Sequence, residues 1–179
     1  MSAVVSAPSA TTSEASAPGG RPPQAMVRMI QAGKANIEVS IRGNGPAVVL
    51  LPSVGGASQY DEFAPILSAA GYRTIALSFR GAGRSTGPLD GLTLHDYAAD
   101  VAAVIESLGV APVDVLGRTG GNRVARCLAS DRPDLVKSLI LLAAGGLVRP
   151  TDPRAVEYLK NGPDAGPESG RLERFRAAM

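Results

Sequence analysis

Between residues 46 and 143, apolar runs of strand length alternate with segments of helical period, and the links between them are short. This alternation constrains the fold more than any other feature of the chain. Pro46-Ala-Val-Val-Leu-Leu-Pro52 is apolar throughout, and residues 72–79, 113–117 and 136–143 carry three further runs. Uninterrupted apolar runs suit strands covered on both faces. Between them, residues 60–70 present Phe63, Ile66 and Leu67 at helical spacing. Leu94, Tyr97, Val101, Val104, Ile105 and Leu108 keep a helical period, and residues 121–131 form a third helical segment. Strand, helix and strand joined this closely require right-handed crossovers, hence a parallel sheet with flanking helices. Upstream, residues 26–31 and 37–41 alternate apolar and polar around Ala32-Gly-Lys-Ala35, as an antiparallel hairpin at a sheet edge does.

The charge balance bounds the function. A net charge of +2 over 179 residues and 4% aromatic residues leave neither a basic stripe nor a stacking surface, so nucleic acid is not an expected partner. One cysteine, Cys127, excludes an internal disulfide and suits a reducing, cytoplasmic setting. One histidine, His95, excludes a multi-histidine metal site, and no motif calls for a cofactor. No apolar run is long enough to cross a bilayer, so no membrane partner is expected either. Residues 1–25 are rich in Ala, Ser, Thr and Pro and are expected to be disordered. Residues 26–147 form the core, and residues 148–179, broken by Pro150, Pro153, Pro163 and Pro167, read as a flexible tail or the start of a lid.

One junction carries possible chemistry. In Gly117-Arg-Thr-Gly-Gly121 an apolar strand stops at a glycine and a helix opens directly behind. This resembles the G-x-S-x-G nucleophile elbow, with Thr119 at its centre. Two more stretches agree in order and spacing. Val48-Val-Leu-Leu-Pro-Ser-Val-Gly-Gly56 stands where a strand followed by His-Gly would be, and Ala76-Leu-Ser-Phe-Arg-Gly-Ala-Gly-Arg-Ser85 resembles an Asp-x-Arg-Gly-x-Gly-x-Ser segment. Together they resemble the α/β-hydrolase superfamily over roughly residues 26–147. The resemblance implies a mostly parallel α/β sheet with flanking helices, incomplete at the C-terminus, since the family's acid and histidine follow later strands. The chain looks like the N-terminal part of such a protein. It departs from the pattern at four places: Thr119 replaces the serine, Arg118 the preceding histidine, Pro52-Ser53 the His-Gly and Ser78 the aspartate.

What the resemblance implies for the site follows residue by residue. Thr119 takes the nucleophile position, but a hydroxyl attacks only with a base in hydrogen-bond reach. The oxyanion donors would be the N–H groups of Gly120 and Val54, with Arg118 beside them favouring an anion. The glycines of Gly81-Ala-Gly-Arg-Ser-Thr-Gly87 do not match a dinucleotide fingerprint, because no helix opens within them. Arg80 is expected to tie its loop down. Cys127 is expected as a small buried hydrophobe. His95 reads as a solvated surface residue, and Asp61, Glu62, Asp96, Asp100 and Glu173 as helix-surface acids, Asp96 favoured by the helix dipole. Two functions stay open: a small-molecule hydrolase lineage acting on ester, lactone or amide bonds, impaired in this chain, or a non-catalytic module for a small anionic ligand. A sheet cut after its last strand also leaves an edge open to self-association.

Overall fold

The computed structural model describes residues 24–53 and 55–144. The expected N-terminal tail up to residue 23, the Pro-rich segment from residue 148 onward and Val54 lie outside the described residues. Six strands form one sheet: β1 Met26–Ala32, β2 Ala35–Arg42, β3 Ala47–Leu51, β4 Arg73–Leu77, β5 Val113–Arg118 and β6 Val136–Leu142. Their spatial order is β1-β2-β4-β3-β5-β6. The hairpin β1–β2 is antiparallel and joins β4 antiparallel, while β4, β3, β5 and β6 run parallel. Hairpin and parallel body are thus as the sequence pattern predicts.

The pleat divides the apolar runs between two layers. Val49, Leu51, Ile75, Leu77, Val113 and Val115 point to one face, where α2 (Leu94–Leu108) and α3 (Gly120–Asp131) cover them. Val48, Leu50, Ala76 and Leu116 point to the other face. That second layer is thinner. A 3-10 turn, Ala57–Tyr60, and the short helix α1, Phe63–Ala69, make it up.

This differs from the single helix expected over residues 60–70. The helix face turned to the sheet carries Ala64 and Ser68, not Phe63 and Ile66, and Ile66 is 64% exposed. Small residues four apart let a short helix lie close against the strands, and the larger side chains are left outside. At the far edge, Ile140, Leu141 and Leu142 of β6 are exposed, so the last parallel strand of the described sheet is apolar but uncovered.

Two devices fix the helix that carries β4 over to β5. Thr93 caps α2: its hydroxyl accepts the Asp96 N–H at 3.2 Å, and the Asp96 carboxylate accepts the Thr93 N–H at 2.8 Å. The two bonds together form a capping box. Hydrogen bonds from Thr93 hold the Asp96 carboxyl below its ordinary range. At the other end Gly109 stops the helix in the left-handed conformation, φ 61°.

Candidate active site

From β3 the chain turns to β4 on one side, and the next parallel strand, β5, lies on the other. The helices that follow β3 and β5 therefore depart to opposite faces, and the crevice outside their carboxyl ends is where open α/β sheets hold ligands. Thr119 sits there, between β5 and α3.

Three glycines allow the junction to close, because backbone from two segments meets over them. A Cβ on Gly117 would lie 2.7 Å from the Gly121 carbonyl oxygen. One on Gly121 would collide with the carbonyl oxygens of Leu51 and Pro52, and one on Gly120 with that of Ser53. So the end of β3 lies directly on the start of α3. The backbone must then reverse within one residue, and Thr119 absorbs the reversal at φ 46°, ψ −105°. That conformation is strained, in a region a β-branched residue rarely enters.

Hydrogen bonds lock the strain in. The Thr119 N–H donates to the Leu142 carbonyl at 3.0 Å, and the Asn122 side-chain amide donates to the same oxygen at 2.8 Å. The end of β6 therefore clamps the elbow. Asn122, 1% exposed, was not singled out by the sequence; its only signal is an amide on the apolar face of α3. The Thr119 hydroxyl oxygen is buried and has no hydrogen-bond partner among the described residues. Arg118, the last residue of β5, is exposed. At the start of α3 the Gly120 N–H has no intrahelical acceptor, whereas the Asn122 N–H turns back to the Thr119 carbonyl at 3.1 Å.

The loop after β3 forms the other wall. The Tyr60 hydroxyl donates to the Leu51 carbonyl at 2.7 Å, and Gln59 accepts the Ser53 N–H at 3.0 Å. Burial pushes the Tyr60 phenol up to about 12, against a small opposing pull from Arg118. Further out, the Ala57 N–H donates to the Ser78 hydroxyl at 3.0 Å and the Phe79 N–H to the Gly55 carbonyl at 3.1 Å. Residues 78 and 79 thus hold Gly55 and Ala57 of this loop.

The remaining candidates fall elsewhere. Arg80 ties its loop to α2, as expected, through Nε and Nη2 to the two Asp100 carboxylate oxygens at 2.6 and 2.7 Å. Its partner corrects the sequence reading. Asp100 is not a surface acid but is 4% exposed, because α2 lays its second turn against the loop. The hydrogen bonds that Arg80 donates to Asp100 raise its guanidinium further. Cys127 is half-buried rather than buried, on the flank of α3; burial raises its thiol. The glycine-rich loop after β4 opens no helix before Leu94, in keeping with the absence of a dinucleotide fingerprint.

His95 is exposed but not free. Its Nδ1 lies 2.6 Å from Asp131 Oδ2, and that hydrogen bond raises the imidazole above its ordinary value. Asp131 ends α3 and Thr119 begins it, so the helix separates them by on the order of 18 Å at 1.5 Å per residue. His95 is therefore out of reach of the Thr119 hydroxyl. A groove of about 350 Å³ lies under the 80–92 loop, lined by Lys34, Arg80, Asp90, Asp96 and Asp100. It sits beside the β1–β2 turn, three strands away from the elbow. Among the described residues no cluster of His, Cys, Asp and Glu could hold a metal ion, and no helix is long and apolar enough to cross a membrane.

Known proteins share this architecture. Over 113 residues the chain is 37% identical to BpoC, a Mycobacterium tuberculosis protein named as a candidate non-heme bromoperoxidase; the match covers 62% of this chain and 43% of the relative. It is 30% identical over 117 residues to a pyrrolizixenacetamide deacetylase of Xenorhabdus hominickii, covering 64% and 44% of the two chains. The match thus spans under half the length of these curated relatives. The crystal structure of an epoxide hydrolase from Vigna radiata superposes with a TM-score of 0.66 at 26% identity, over 76% of this chain and 46% of that one. The sequence model of the α/β-hydrolase fold matches residues 46–174, which include the elbow, its clamp and the loop facing it, and the chain belongs to the α/β-hydrolase family.

Proposed function

We propose that this chain comes from a small-molecule hydrolase lineage, acting on an ester, lactone or amide-type bond, and that its elbow is catalytically impaired. One observation carries the reading. Thr119 holds the strained central position of the elbow, yet its hydroxyl has no partner among the described residues, and the one histidine of the sequence is committed to Asp131 at the far end of α3. Without a base among the described residues to take its proton, a threonine hydroxyl remains a weak nucleophile. What is kept is backbone: the N–H groups at the start of α3 and a braced loop opposite them. The deacetylase name of one relative supports an amide-type bond, and the epoxide-hydrolase name of a structural neighbour supports a small-molecule substrate more broadly. The test is turnover of short-chain p-nitrophenyl esters by the folded chain, with Thr119→Ala as control. The expected result is no difference between the two proteins. Turnover that disappears with Thr119→Ala overturns the impairment.

A second reading rests on the unpartnered Thr119 hydroxyl and the Gly120 N–H beside it. They suit a small carboxylate bound without reaction, with Gly120 and Val54 as backbone donors and Arg118 supplying charge. A panel of carboxylates, benzoate first, is expected to raise the melting temperature without being consumed. No shift across the panel counts against it.

A further inference from the structure

Ser78 is fully buried, and a hydroxyl has only one proton to give. That proton goes to Glu38 on the neighbouring strand β2, at 3.1 Å from Oε1. The Ser78 oxygen is thereby left facing the Ala57 N–H as acceptor, at 3.0 Å. Glu38 is itself fixed from the other side. Its second oxygen accepts the Arg84 backbone N–H at 3.0 Å and the Arg84 Nε at 2.8 Å. A ring of bonds through the backbone and the Ser85 hydroxyl holds the pair in register: Glu38 N–H to the Ser85 hydroxyl at 2.8 Å, that hydroxyl to the Ser78 carbonyl at 2.8 Å, and the Ser78 N–H to the Glu38 carbonyl at 2.9 Å.

The surrounding glycines leave this cluster its space. A Cβ on Gly83 would stand 2.7 Å from the Ser78 hydroxyl and 2.8 Å from Glu38 Oε1; one on Gly56 would stand 3.0 Å from the same hydroxyl. Such a cluster can do one thing well. It commits a neutral hydroxyl to act as an acceptor, by giving its proton a carboxylate that cannot donate in return. The group it acts upon is the amide that opens the 3-10 turn after β3, two residues past Gly55.

We propose that Glu38 is a positioning residue for the elbow's facing loop: acting through Ser78, it fixes Gly55–Ala57 and with it the donor loop of the ligand cradle. The inference rests on the reading of that loop as half of the cradle, but its own test does not need a ligand. Neutralising Glu38 frees the Ser78 hydroxyl to rotate, and the Ala57 amide loses an aligned acceptor. Burial raises the Glu38 carboxyl, and the hydrogen bonds from Arg84 and Ser78 outweigh this and lower it, so it is charged at neutral pH. The groups facing it are Arg84 from the loop, Ser78 just past the end of β4 and Met29 across on β1, so Arg84 is its charged neighbour.

The experiment is amide exchange by NMR on Glu38→Ala, Ser78→Ala and the double variant, read at Ala57 and Phe79, with β5 amides as reference. Each single variant is expected to speed exchange at Ala57 by about tenfold, the size of one lost hydrogen bond. The double variant is expected to match Ser78→Ala, because Glu38 acts through that hydroxyl. Additive effects at Ala57, or no change in Glu38→Ala, overturn the proposal. Lowering the pH should speed Ala57 exchange relative to β5 in the wild type and not in Glu38→Ala; equal pH profiles overturn it as well. Benzoate affinity, measured on the same proteins, reports separately on the cradle. If the wild type binds no carboxylate while Ala57 exchange remains coupled to Glu38, the cradle reading fails and the positioning role stands.

Discussion

Thr119 offers a prediction whose sign is opposite to the ordinary rule. In most positions alanine is more stabilising than glycine by roughly 0.5–1 kcal/mol, because glycine has more freedom to lose on folding. At Thr119 the backbone holds φ 46° and ψ −105°, a region where a residue with a Cβ is strained by roughly 1–3 kcal/mol. Thr119→Ala and Thr119→Gly both remove the unpartnered hydroxyl and the γ-methyl, so those contributions cancel when the two variants are compared. What remains is about 2 kcal/mol of relieved strain against about 0.75 kcal/mol of glycine entropy, leaving glycine ahead by about 1 kcal/mol. For a body of this size that is a melting temperature higher by about 3–4 °C. Urea and thermal unfolding of the two variants, at one protein concentration, measure it. Equal stability, or alanine ahead of glycine, would refute the reasoning that the elbow stores strain at this residue.

Other expectations follow from the same geometry. Removing Asp100 should leave the Arg80 guanidinium buried and unpaired at a cost of about 3–5 kcal/mol, and the Arg80→Ala, Asp100→Ala double variant should lose less than the sum, as urea denaturation will show. Gly121→Ala forces a Cβ into the Leu51 and Pro52 carbonyls and should destabilise by about 1–3 kcal/mol or more, whereas Gly91→Ala, with open space around it, should be limited to backbone strain. His95 titrates above its ordinary value because of Asp131. A histidine whose pKa is raised on folding contributes stability that is full below its unfolded value, near 6.5, and fades as pH rises through the folded one. Asp131→Asn should bring the imidazole titration, followed by NMR, back toward the ordinary value and remove that pH dependence. Charging the open strand with Ile140→Lys and Leu142→Lys should lower any concentration-dependent association seen by sedimentation.

Some of this protein could be read directly from its residues. Strand and helix periods are local properties, so the hairpin, the four parallel strands, the Thr93–Asp96 cap and the turn at Thr119 were legible from spacing alone. The elbow was legible because only glycine fits at 117, 120 and 121, and a run of close approaches leaves its mark on composition. What the sequence did not disclose depended on which distant residues meet. Asp100 looks like any helix acid until the loop after β4 folds over it. Phe63 and Ile66 look like a core face until Ala64 and Ser68 take the close approach. Glu38 lies 40 residues before Ser78 and shares no motif with it; only the antiparallel register of β2 against β4 places the carboxylate on the hydroxyl. Likewise His95 and Asp131 are joined only because α3 ends against α2. Hydrophobic periodicity is written along the chain, so the sequence alone determined the layers and the elbow. Pairing between polar groups is set by where the sheet brings strands and loops together, so the tertiary structure decided which side chains face the site, and which were never near it.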